Sequence, residues 1–100
     1  KSVSLQRKSH HAEFPDSVTN RGKKHLENLV IANNQGYESY LFFLIQIEKC
    51  KSFAIASDID PEYYKVFNNA LKKNVNVICY DCKFTNKGIE INKKIDLFNE

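Results

Sequence analysis

Residues 37–50 read YESYLFFLIQIEKC, and the reading of this run decides the fold class. In an extended strand successive side chains point to opposite faces. Tyr40, Phe42 and Leu44 therefore share one side, while Leu41, Phe43, Ile45 and Ile47 share the other. Both sides are apolar. Such a strand is expected in the middle of a mixed or parallel sheet whose two faces are covered. The run is also far shorter than the roughly 20 apolar residues of a membrane span, so it predicts a core strand.

Working outward from this strand, Gly36 marks the left-handed end of a preceding helix. That helix begins near Thr19 or Asn20, either a competent N-cap, and runs for about sixteen residues. Leu26, Leu29, Val30 and Asn33 form its 3.6-residue stripe, flanked by Ile31. Further upstream, KSVSL (1–5) alternates and reads as a strand end. QRKSHHAEF (6–14) is polar without helical spacing, which predicts a loop or short strand edge, and Pro15 and Asp16 punctuate it. Downstream, FAIAS (53–57) suggests a short strand. Asp60 then caps a second helix, with Pro61 at the first helical position and Glu62 at its positive end. Tyr63, Val66, Phe67, Ala70 and Leu71 supply the buried stripe of that helix, which Lys72, Lys73 and Asn74 close. VNVICYDCKF (75–84) is a further strand, Asn86-Lys87-Gly88 a hairpin turn, and GIEINKKIDL (88–97) its returning partner. The order strand, helix, strand, helix, hairpin implies an α/β sheet layered with helices.

One hundred residues make one domain. The 42% apolar and 27% charged fractions are those of a globular chain and exclude disorder. The chain opens without Met, inside a strand and without a signal or transit segment, and reads as part of a longer protein whose first part is missing. Its three cysteines, Cys50, Cys79 and Cys82, argue for reduced thiols in a cytoplasmic protein. Cys79 and Cys82 form a C-x-x-C, but on a strand residues three apart face opposite ways. A zinc site wants about four ligands, and a redox pair wants a helix start, so neither reading fits. The net charge of +3 permits a polyanionic partner without requiring one.

Clustering says more than the total. FPDSVTNRGKKHLENL (14–29) packs Arg21, Lys23, Lys24 and His25 into the first turns of the first helix. The positive end of the helix dipole favours acidic residues there, and each cation costs roughly a few tenths of a kcal/mol. That placement makes sense if a phosphate supplies the counter-charge, and a solvated lysine face is the plainer alternative. Gly22 lets a backbone or phosphate come close. Asp16 is open between a metal ligand, a partner for Arg21 and a turn former after Pro15. His25, four residues after Arg21 on the same side, is open between phosphate contact, a carboxylate partner and a structural role. Asp60 reads as a cap. Tyr63 and Tyr64 could stack on bases, with a core role the commoner use of such residues. Arg7 and Lys8 could extend the basic surface, strengthened below about pH 6.5 by His10 and His11. About four phosphate-neutralising cations give a salt slope near −3.6 on duplex DNA.

The motif F-P-D-x-V-T-x-R-G-x-K-H-L at 14–26, with D-I-D-P-x-Y at 58–63 and V-x-V-x-x-Y-x-C at 75–82, resembles the C-terminal region of the sugar fermentation stimulation protein family. The resemblance implies a restriction-endonuclease-like mixed sheet of the PD-(D/E)xK type with flanking helices, behind a small N-terminal OB-like domain. It further implies DNA binding without marked sequence preference and a link to bacterial sugar utilisation. In the family a strand carrying E-V-K-S-V-T-L precedes the F-P-D motif. KSVSL matches its tail, which makes Lys1 the lysine of the E-x-K element and the candidate catalytic residue. The glutamate two positions earlier lies outside this chain. Mg²⁺-dependent cleavage needs clustered carboxylates, so the chain alone is expected to hold no metal and to leave DNA intact. The leading expectation is a DNA-binding module that uses Arg21, Lys23, Lys24 and His25, with Lys1 and Asp16 at an incomplete metal site. The alternatives are a Mg²⁺-dependent nuclease in the intact protein and a protein-interaction domain using the hairpin edge.

Overall fold

The structure, a computed structural model, describes residues 1–97. Strands β1 (Ser2–Val3), β2 (Leu5–Lys8) and β3 (His11–Phe14) precede helix α1 (Asn20–Asn34). Strands β4 (Tyr40–Ile45) and β5 (Ser52–Ile55), helix α2 (Pro61–Lys72) and the hairpin β6 (Asn76–Thr85)–β7 (Gly88–Lys94) follow. Two sheets result. In the first, ordered β1-β4-β6-β7, β4 runs parallel to both neighbours and β7 returns antiparallel. In the second, β3 is central, antiparallel to β2 and parallel to β5. The opening strand breaks at Ser4, so Ser2–Val3 serve one sheet and Leu5–Lys8 the other.

Of the two expectations for the polar run 6–14, a loop or a short strand edge, the structure shows the strand, with β2 at the edge of the second sheet and β3 folding back beside it. Its reversal passes through His10, which holds a positive φ of 62°, and parallel pairing of His11–Phe14 with Ser52–Ile55 buries Ala12 completely. The polarity of the run fits a second sheet that is half solvated. Only one residue in two needed to be apolar.

Both helices pack on one face of the first sheet. Leu26 from α1 and Tyr63, Phe67 and Ala70 from α2 join Leu41, Phe43 and Ile45 of β4 in one core. The Phe43 ring is the hub, 5.3 Å from Phe14, 4.8 Å from Phe53 and 6.3 Å from Phe67. On the opposite face Tyr40 and Phe42 are exposed, which corrects the expectation that β4 is covered on both sides. Among the described residues no helix lies over that face.

The two helix starts are tied together by one buried carboxylate. Asp60 Oδ1 accepts from the Tyr63 N–H at 3.0 Å and caps α2, while Oδ2 accepts from the Thr19 N–H at 3.0 Å. Thr19 in turn caps α1, its Oγ1 accepting from the Gly22 N–H at 3.0 Å. Gly22 is buried where the helices meet. A Cβ there would lie 2.9 Å from the Thr19 side chain and 3.1 Å from the Tyr63 ring. Its small size therefore serves helix packing, not the approach of a phosphate.

Candidate nucleic-acid interface

Positions 21, 24, 25 and 28 fall on one flank of a 3.6-residue helix. Arg21, Lys24, His25 and Asn28 accordingly line one wall of a recess of about 350 Å³, and Lys1 on the edge strand lines the other. Backbone pairing holds Lys1 in place. Its carbonyl accepts from the Leu44 N–H at 2.8 Å, and its own N–H group donates to the Phe42 carbonyl at 2.7 Å. Among the described residues no carboxylate lines the recess.

The electrostatics carry the mark of like charges brought together. Burial, and after it the Arg21 guanidinium, pull the Lys1 ammonium below the ordinary lysine value. Burial first and the Lys1 charge second pull His25 below the ordinary histidine value. Both shifts penalise cations that lack a counter-ion, and an incoming anion relieves both. The Thr19 hydroxyl already takes the Gly22 N–H, so the recess presents side chains more than a free helix end.

Lys23 is placed elsewhere. It turns into the groove between the helices, where its Nζ lies 3.7 Å from Asp60 Oδ1 and 3.6 Å from Glu62 Oε2, and only 13% of its side chain is exposed. For Asp60, burial works to raise the pKa. The Thr19 and Tyr63 N–H donors and the Lys23 ammonium outweigh it and hold the carboxyl below its ordinary value. Asp16 is exposed in the loop before α1, where its Oδ1 accepts from the Ser17 hydroxyl at 3.5 Å. It does not line the recess. Among the described residues no three His, Cys, Asp or Glu side chains gather to hold a metal ion, so the residues present do not fit a divalent-cation site.

Arg7, His10 and His11 are engaged. Arg7 grips both oxygens of Glu13 (2.8 and 2.8 Å) and both of Asp58 (2.7 and 2.8 Å), which lowers Glu13 and pulls Asp58 down to about 2. Lys8 and His11 border a second recess that also holds Glu13 and Asp58. The His11 Nδ1 pairs with the Ser52 hydroxyl at 2.6 Å, and the His10 Nδ1 lies 3.0 Å from the Lys49 carbonyl. Tyr63 is fully buried, which removes it as a stacking surface. All three cysteines are free and buried, and burial pushes Cys79 up to about 12 and Cys82 upward. Asn28 is the recess residue that the sequence reading passed over. Its spacing from Arg21 and Lys24 was the available signal.

The chain matches the family model "Sugar fermentation stimulation protein RE domain" over residues 1–88. It is 52% identical over 99 residues to the sugar fermentation stimulation protein homolog of Pelagibacter ubique and 43% identical over 91 residues to that of Roseobacter denitrificans. These matches cover 99% and 91% of this chain but only 43% and 39% of the relatives. The chain thus spans about two fifths of their length. A solved structure titled as Pyrococcus furiosus SfsA in complex with Ca²⁺ shares the fold at a TM-score of 0.89 and 21% identity, over 98% of this chain and 42% of that one. Sequence and fold agree, and the chain belongs to the sugar fermentation stimulation protein family.

Proposed function

We propose that this chain binds DNA without sequence preference, through the phosphate backbone, at the recess formed by Lys1, Arg21, Lys24, His25 and Asn28. The observation that carries the reading is the convergence of these cations on one concavity with no acid among the described residues that line it. Cationic side chains that meet only phosphate position a duplex without reading its bases. Lys23 is left out of this set because Asp60 and Glu62 already neutralise it. Three permanent cations then give log K against log salt a slope of about −2.7 above pH 7. The test is a low-salt gel shift with several unrelated duplexes. Similar affinities and that slope support the reading, whereas a strong preference for one duplex, or no binding at low salt, would refute it.

A second reading has its own support. The Pyrococcus relative was solved with Ca²⁺, and Lys1, which lines the recess, is the residue that the motif resemblance assigns as the lysine of an E-x-K element. We read the fold as restriction-endonuclease-like on that ground, and cleavage as a property of the longer protein. The described residues supply no carboxylate cluster, so the hundred-residue chain with Mg²⁺ should leave supercoiled plasmid intact. Reproducible nicking by the purified chain would overturn this. A cytoplasmic setting and a role in control of sugar utilisation complete the proposal, supported by the free thiols and the family's name.

A further inference from the structure

A second recess, also of about 350 Å³, opens on the outer face of the second sheet and shares no lining residue with the first. Parallel pairing of β3 with β5 sets His11 beside Ser52 and Glu13 beside Ala54. Paired positions share a face, and these four side chains line the recess together. The Ser52 Oγ lies 2.6 Å from His11 Nδ1, at the close end of the range for a nucleophile and its base. Lys8 pairs with His11 across the β2–β3 turn and brings an ammonium to the same wall. Both acids of the lining, Glu13 and Asp58, are gripped by Arg7, so the recess offers no free carboxylate pair to a cation.

We propose that Ser52 is a nucleophile with His11 as its general base, and that this recess takes small carboxylic esters. In the Nε2–H tautomer, His11 Nδ1 accepts from the Ser52 hydroxyl. Ser52 Oγ bonds to the ester carbonyl carbon as its proton passes to Nδ1, and the carbonyl π pair moves to oxygen. Lys8 offers that oxyanion a counter-charge. The imidazolium has Glu13 near it, two residues along on the same face. Collapse breaks the bond to the alkoxide, which leaves with the proton from Nδ1. Water repeats the steps on the acyl-serine, releases the acid and restores Ser52, so ester and water become acid and alcohol. Esters suit a pair assisted by one ammonium, since an alkoxide leaves more readily than an amine.

The experiment treats the hundred-residue chain with a fluorophosphonate, from which an activated serine displaces fluoride, and follows p-nitrophenyl acetate hydrolysis in parallel. The expected result is a single phosphonyl group on Ser52, located by peptide mass. Ser52→Ala and His11→Asn should each slow hydrolysis by about 100-fold or more, while Ser17→Ala, outside the lining, changes nothing. Asparagine places a hydrogen-bonding atom near the position of Nδ1, so it keeps the link to Ser52 but takes no proton. Labelling no faster than that of the same chain unfolded in urea would overturn the proposal. That comparison needs no variant and decides even where a substitution unfolds the chain. Labelling confined to another residue, or a His11→Asn chain that reacts like the parent, would equally reduce the Ser52–His11 bond to a link between strands.

Discussion

Two groups of basic residues near the start of this chain look alike in sequence and differ in the fold. Arg7 and Lys8 lie on the second sheet, where Glu13 and Asp58 take four hydrogen bonds from Arg7. Arg21, Lys24 and His25 face Lys1 across a recess whose wall holds no acid among the described residues. Lys23, next to Lys24 in sequence, behaves like the first group because Asp60 and Glu62 hold it. Available charge, not charge count, distinguishes an anion site from a structural ion pair.

The comparison breaks most readily at the recess. Reversing both of its helix cations, Arg21→Glu with Lys24→Glu, should lower affinity for any duplex by about 100-fold or more at low salt. Arg7→Ala, read in the same anisotropy titration, should leave affinity within about twofold. A similar loss from both variants would erase the distinction between the two groups.

Next in size is Asp60→Ala, which removes the α2 cap, orphans the Thr19 N–H and leaves Lys23 without its buried partner. Cap loss and an unsatisfied donor together cost about 2–4 kcal/mol, measurable by urea unfolding. The folded carboxyl lies below its ordinary value, so its contribution is present at neutral pH and is lost as pH falls through the acidic range below about 4. Asp60→Asn should flatten that acid limb.

A smaller effect is expected at the helix crossing. Gly22→Ala gains up to about 1 kcal/mol of helix propensity but overpacks the Thr19 cap and the Tyr63 ring for roughly 1–3 kcal/mol. The net should be a loss of about 1 kcal/mol in denaturant unfolding, and a stabilised variant would show that the crossing has slack.

The smallest effect sharpens the recess itself. His25 titrates below its ordinary value in the free chain, so its neutral form adds stability above about pH 6.5, and that stability is lost as pH falls through the folded value. A bound polyanion reverses the sign by favouring the charged ring. Affinity should therefore rise several-fold between pH 7.5 and 5.5, and the salt slope should move from about −2.7 towards −3.6. His25→Ala should hold the slope near −2.7 throughout.

Local rules made much of the molecule legible. The caps at Thr19 and Asp60, Pro61 opening α2, the φ of +96° at Gly36 and the apolar stripe of α2 follow from short-range sterics and spacing. The recess was half legible, since the helical spacing that unites Arg21 and His25 also includes Asn28. The fate of Lys23 was not legible, because its partner Asp60 is 37 residues distant and reaches it only when α1 and α2 cross. For the same reason Gly22, read as room for a backbone or a phosphate, serves the helix crossing instead.

What the amino-acid order determined by itself was the two helices with their caps, the strands of the first sheet and the family, all of which rest on neighbours within a few positions or on a long linear motif. What only the tertiary structure decided was which charges remain unpaired and which face of β4 stays open. Both are properties of long-range contacts, formed when segments tens of residues apart compete for the same partners and the same space.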